Sequence, residues 1–234
     1  MISRFRADAS TCLWWLAAAL LACALKQHYS IATATELGWM LRPVAVLLQT
    51  ITGEHFHPTG AGEWQSATAG IVLVKGCAGI NFMILSFLGW CWLARPPRDV
   101  ALTPTQFLEW PVLLGASLLL AWGTAVTINV VRILMAMALG PVLDGWFGTE
   151  EVHRAIGLAI YLPALAAQVM VGESGNRRKA ALVAASAYVA LMLIVPLITG
   201  NAFDDFHLFK QHATLVLMLT VPLAIWGLRC ATED

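Results

Sequence analysis

Three side chains far apart in this sequence have the types and surroundings for thiol chemistry. Cys77 lies in Lys75-Gly76-Cys77-Ala78-Gly79-Ile80-Asn81, where a β-branched run gives way to a long apolar one. A thiol at the start of a helix faces unpaired main-chain N–H groups and the positive end of the helix dipole, which favour the nucleophilic thiolate. Lys75 adds a cation, and Gly76 and Gly79 leave room for a substrate backbone. Arg132 stands in an apolar helical stretch, where a charge costs ~2.5–3.5 kcal/mol to insert and therefore marks a candidate functional position. Asn129, three residues earlier, shares its helix face. Together they could donate hydrogen bonds to an oxyanion or a carboxylate. His153 could take the thiol proton and return it to a leaving amine, with Glu150 or Glu151 orienting the ring. Lys75 and Asn81 complete the set as substrate or oxyanion support. A bland reading stands beside each: Cys77 as apolar packing, Arg132 snorkelling to the headgroups, His153 as an interfacial polar residue.

The remaining candidates are weaker. His55-x-His57 could offer two metal ligands, but a site needs a third or fourth, so neither metal nor cofactor is expected. The five cysteines form no C-x-x-C pair and no zinc spacing. No Gly-x-Ser-x-Gly elbow occurs, and Ser86 and Ser117 lie in plain apolar stretches, which argues against a serine peptidase.

The elements that must position these residues are membrane helices. Of 234 residues, 59% are hydrophobic and 12% charged, where soluble domains run nearer half and a quarter. Lys plus Arg and Asp plus Glu number 14 each, so there is no basic excess to suggest nucleic acid. Runs approaching the ~20 residues that cross a bilayer fall at 12–25, 77–94, 110–128, 155–171, 180–199 and 212–228. The third continues in helical pattern over 129–139 until Gly140-Pro141 stops it. These spans predict a single all-α polytopic membrane domain over residues 1–234. Residues 33–52, with Glu36, Arg42 and Pro43 among apolar residues, read as an amphipathic interfacial helix. Residues 54–75 read as a small β-hairpin outside the membrane with its turn at 58–62. The first run could pass for a signal peptide after Arg4 and Arg6, but five further spans favour an uncleaved first helix.

Basic residues gather at Arg4/Arg6, Arg95/Arg98, Arg177/Arg178/Lys179 and Arg229. The positive-inside rule places all four in the cytoplasm if the chain crosses six times, both termini included. Cys77, Arg132 and His153 then fall at one level, on the extracytoplasmic face.

At these positions the sequence resembles the exosortase/archaeosortase family of membrane transpeptidases. The matching pieces are Gly76-Cys77-Ala78-Gly79-Ile80, Asn129-Val130-Val131-Arg132-Ile133 and His153-Arg154-Ala155-Ile156-Gly157, in that order, within residues 53–167. Ala78 stands where many members have Ser, and the spans are fewer than in the best-known members, as in the compact subtype called exosortase K. The resemblance implies a nucleophilic Cys77, an essential Arg132 and a basic His153. It implies a thiol peptidase or transpeptidase of the cell inner membrane, surrounded by membrane lipids. Its substrates would be exported proteins bearing a C-terminal sorting signal, often Pro-Glu-Pro followed by an apolar helix and a basic tail. The competing expectation is a non-enzymatic transport or envelope-assembly component, with Arg132 binding an anion and Cys77 inert.

Overall fold

The computed structural model describes residues 2–95, 104–143, 149–172, 177–203 and 205–229. It is an all-α polytopic fold with one small sheet. Among the described residues six stretches are long and apolar enough to cross a membrane: Ser10–Ile31, Lys75–Leu93, Leu108–Val142, Val152–Val171, Ala180–Thr199 and Phe206–Ile225. The helices are α1 (Ile2–Ile31), α2 (Gly38–Thr52), α3 (Ile80–Leu93), α4 (Pro104–Leu143), α5 (Thr149–Gly172), α6 (Arg177–Val189), α7 (Val195–Thr199) and α8 (Phe206–Arg229). The chain gathers into two compact units, Met1–Asn129 and Val130–Asp234, divided within α4.

In the first unit α3 is the hub. It is apolar around its whole circumference, and Phe82, Met83, Ile84, Leu85, Phe87 and Cys91 are all buried. Helix α1 packs along it. The Trp14 indole is fully buried, donates to the Cys91 carbonyl at 3.1 Å and meets Trp110 edge-on at 5.7 Å. Leu13, Leu16 and Leu20, on the other side of α1, are exposed, as lipid-facing residues are.

Helix α2 is the expected amphipathic element, starting at Gly38 rather than at residue 33. The five residues before it form a turn in which the Glu36 carboxylate accepts from the Thr33 amide and hydroxyl at 2.7 and 2.9 Å. Met40, Leu41, Val44, Ala45 and Leu48 make its buried face, which packs on the turn carrying Cys77. Pro43 has no N–H for the Trp39 carbonyl one turn back. The Trp122 indole of α4 donates to that carbonyl instead, at 3.3 Å.

Between α2 and α3 lies a three-stranded antiparallel meander, where one hairpin was expected. Strand β1 (His57–Pro58) pairs with β2 (Trp64–Ser66) around the predicted turn, closed by bonds between Thr59 and Glu63 and between Gly62 and Thr59. The β-branched run forms β3 (Ile71–Leu73) and adds to β2 with Ser66 opposite Ile71. Gly70, at φ +65°, supplies the left-handed residue ahead of it.

In the second unit α5, α6 and α8 pack on one another. Ala180, Ala181, Ala184 and Ala185 are buried along α6, and side chains this small let helix backbones approach closely. Between α6 and α7 the helix widens into a π turn, Ala190–Ile194, with the Val195 amide bonded to the Ala190 carbonyl. Pro196, one residue on, has no amide to restore the regular ladder.

Several expected boundaries shift. The first helix is longer than 12–25, because Lys26 to Ser30 continue it as polar helical residues. Gly140-Pro141 does not end α4, which runs to Leu143, since a proline in the last turn removes only one terminal bond. Helix α5 opens at Thr149, so His153 is inside a helix rather than ahead of it.

Candidate functional site

Strand β3 feeds through Val74 into a 3-10 turn, Lys75–Ala78, that holds Cys77. The Cys77 amide bonds to the Val74 carbonyl at 2.8 Å, closing the turn. Gly79 then takes φ +70° and serves as the N-cap of α3, whose first ladder bond runs from the Met83 amide to the Gly79 carbonyl at 3.0 Å. A left-handed residue here redirects the chain, and glycine does so without steric cost. Cys77 is therefore three residues ahead of the first residue of α3. The expected position at the N-terminus of the helix is corrected: Cys77 stands in the 3-10 turn, and α3 begins at Ile80.

The turn is fastened from α4. Asn129, fully buried, donates its side-chain amide to the Cys77 carbonyl in a very short hydrogen bond. The room for this comes from Gly79, where a Cβ would sit 3.2 Å from the Asn129 Cγ. The space expected for a substrate backbone at Gly79 is thus filled by Asn129, while beside Gly76 the nearest atom, a Val74 methyl, is 4.0 Å away. Cys77 itself is 8% exposed and is not in a disulfide.

The two support residues lie on either side of this turn. Lys75 opens it, and its ammonium donates to the Ser30 carbonyl near the end of α1 at 3.2 Å. Asn81, in the first turn of α3, accepts a 2.8 Å bond from Lys26 of α1. Its carbonyl oxygen is occupied, which leaves its amide as the donor end.

In the second unit Arg132 is 6% exposed. Its Cδ comes within 3.5 Å of where a Cβ on Gly157 would stand, so the absent side chain gives the arginine stem a bed on α5. The guanidinium carbon lies 5.9 Å from the centre of the Tyr161 ring, a cation–π arrangement. Tyr188 of α6 is buried within electrostatic reach of both. His153 is exposed on α5, one turn ahead of Gly157 and on the same side of the helix. The side chains of Glu150 and Glu151, the expected partners of His153, lie outside the described residues.

The structure thus brings Cys77, Gly79 and Asn129 together in one unit, and Arg132, Gly157 and Tyr161 together in the other. Asn129 and Arg132 are three residues apart on one unbroken helix. Sequence reasoning missed Lys26, Tyr29, Tyr161 and Tyr188. Tyr161 carried a legible signal, since it follows Gly157 by one turn; the others carried none. His55 and His57 stack at 6.4 Å, and among the described residues no three potential ligands gather for a metal. No protein-family model, no curated protein and no solved structure matches the chain.

Proposed function

We propose that this chain is a membrane-embedded thiol peptidase or transpeptidase of the exosortase kind, processing C-terminal sorting signals of exported proteins at the outer face of the inner membrane. The Cys77 sulfur attacks the scissile carbonyl while His153 accepts the thiol proton. The C–N bond then breaks, and the proton passes to the leaving amine. Arg132 stabilises the oxyanion of the tetrahedral intermediate by charge and by hydrogen bonding. The resulting thioester passes its acyl group to an amine or to water, which restores the thiol. Membrane lipids surround the protein, and no cofactor takes part.

One observation carries the reading. The main chain at Cys77 is pinned by Asn129, and the next residue of that helix face is Arg132. A buried turn carbonyl needs a donor in any case; here the donor comes from the helix that also carries Arg132, and the turn it fixes holds the sulfur in one direction, as a nucleophile requires to gain the advantage of proximity. Asn129 accordingly serves as a positioning residue for Cys77.

The test is processing in cells. An exported protein ending in a short motif, an apolar helix and a basic tail is co-expressed with wild type, Cys77→Ala or Cys77→Ser. Wild type releases the tail; both variants reach the membrane at normal levels and release none. Full processing by both would rule out the nucleophile.

The Arg132 packing on Tyr161 and near Tyr188 favours a second reading, in which that cation binds an anion within its own unit and the protein is a transport or assembly component. It separates from the first by predicting normal function in Cys77→Ala.

A further inference from the structure

The two edges of the small sheet are built differently. In the order β1-β2-β3, each outer strand has β2 on one side and no strand on the other among the described residues. Proteins blunt such edges with prolines, charges or short strands, because unpaired main-chain N–H and C=O groups pair with any extended chain that reaches them. Strand β1 is blunted: it is two residues long, and Pro58 has no N–H to offer. Strand β3 is open. Ile71, Val72 and Leu73 include neither proline nor charge, and Val74 continues their extended backbone at φ −90° and ψ 173°. No main-chain hydrogen bond from outside the sheet reaches Ile71, Val72 or Leu73 among the described residues.

The side chains along this open edge alternate. Leu73 is fully buried, while Val72 and Val74, on the opposite face, are both 40% exposed. Apolar side chains at this spacing suit an added strand, since neighbouring strands stabilise each other by same-face contacts. Lys75, the first charge after the strand, is turned away from it. Its ammonium donates to the Ser30 carbonyl and lies 5.2 Å from the centre of the Tyr29 ring, which it shares with Lys26 at 5.7 Å. The edge runs into the Cys77 turn. Cys77 follows Val74 by three residues, at most about 11 Å of chain. At the intervening Gly76 a Cβ would meet nothing closer than a Val74 methyl at 4.0 Å.

We propose that β3 with Val74 takes the extended segment of the protein substrate as an added β-strand, held by its main chain and led along the open edge to the Cys77 sulfur. The inference rests on the peptidase reading of Cys77 and supplies the way its substrate is held. Strand addition draws on main-chain groups, with alternate side chains of the guest packing on Val72 and Val74. At a rise of about 3.3 Å per residue, the paired segment ends within about three residues of the scissile bond. Only every second residue of a strand directs its N–H and C=O toward a given neighbour. The guest's dependence on its amides therefore has a period of two. A second copy of this chain could also pair at an open edge, but four residues are too few to bury the ~1,000 Å² that a stable interface needs. A substrate needs only to be aligned.

The experiment uses full-length protein, one copy per nanodisc, and a proline-free hexapeptide ending in a vinyl sulfone. The Cys77 sulfur adds to the terminal vinyl carbon and the thiol proton ends on the neighbouring carbon, so no group leaves. Mass spectrometry follows the adduct, with each rate divided by that for free cysteine. Methylating one peptide nitrogen at a time should slow the reaction by about three- to tenfold, the worth of one main-chain hydrogen bond, at alternate positions only. Equal slowing at every position, or none, would overturn strand addition, as would a peptide reagent no faster than methyl vinyl sulfone. Binding is read without the thiol in Cys77→Ala, by photo-crosslinking to the same hexapeptide ending in an amide. Val72→benzoylphenylalanine should capture it, and His57→benzoylphenylalanine on the blunted edge should not. Equal capture at both, or none at position 72, overturns the proposal. In detergent, rapid disulfide linkage of two copies through Val72→Cys that the hexapeptide does not prevent would assign the edge to self-association, and that too overturns it. A thiol dead to methyl vinyl sulfone counts against the peptidase reading, whereas failed capture beside a live thiol counts only against strand addition.

Discussion

At the Cys77 turn the constraints act on the main chain, whereas at Arg132 the contacts are made by side chains. The cysteine is fixed by a closed 3-10 turn, a left-handed Gly79 and an amide from Asn129 on its own carbonyl. The arginine rests its stem over Gly157 at an ordinary contact distance and places its head near a ring. The chemistry proposed for each residue accounts for the contrast. A sulfur one bond from Cβ can be aimed only by fixing the backbone that carries it. A guanidinium on a long stem reaches its target through rotamers, so packing is enough to direct it.

The sharpest test of this contrast is the same substitution at both glycines. Gly79→Ala forces a side chain into the left-handed region at about 1–2 kcal/mol and sets a methyl 3.2 Å from Asn129, a contact closer than normal. Gly157→Ala meets its neighbour at 3.5 Å and gains helix propensity of up to about 1 kcal/mol. Thermal unfolding in detergent should show a clear loss of Tm for the first and none for the second. Equal losses would remove the distinction between a backbone-built and a side-chain-built region.

A comparable effect is expected from Asn129→Leu, which keeps the bulk but leaves the buried Cys77 carbonyl without its donor. An unsatisfied buried group costs about 1–3 kcal/mol, read as a lower denaturation midpoint. The smallest effect belongs to Tyr161→Leu, which removes the ring facing Arg132 for about 0.5–2 kcal/mol and should leave the midpoint closer to wild type. A Tyr161→Leu protein less stable than Asn129→Leu would mean that the second unit is the more tightly determined of the two.

The membrane helices were legible because apolar run length is a one-dimensional property: a span must be long enough and free of charge wherever it packs. Residues 180–199 declared themselves in this way, while the strand run at 71–74 showed through its β-branched residues and the turn at 58–62 through its Pro and Gly. The start of α3 was misread because Cys77 and Ile80 are equally apolar in pattern. Only the backbone angle at Gly79 separates a turn from a helix, and any glycine can adopt either sign of φ. Asn129 was singled out as a donor to substrate, and its partner proved to be the cysteine's own carbonyl. An asparagine amide in a helix carries no mark of which distant acceptor it will meet.

The sequence by itself determined that the chain is apolar enough to live in a bilayer, where its helices run, and that Cys77, Arg132 and His153 are its unusual polar residues, since each follows from residue type and spacing along the chain. Tertiary structure alone decided that Asn129 closes on Cys77, that Gly79 makes way for it, and that Lys26 and Lys75 share the ring of Tyr29. Those are contacts between residues far apart in the chain. Hydrogen-bond and charge complementarity across such separations is settled by packing, which local pattern does not encode.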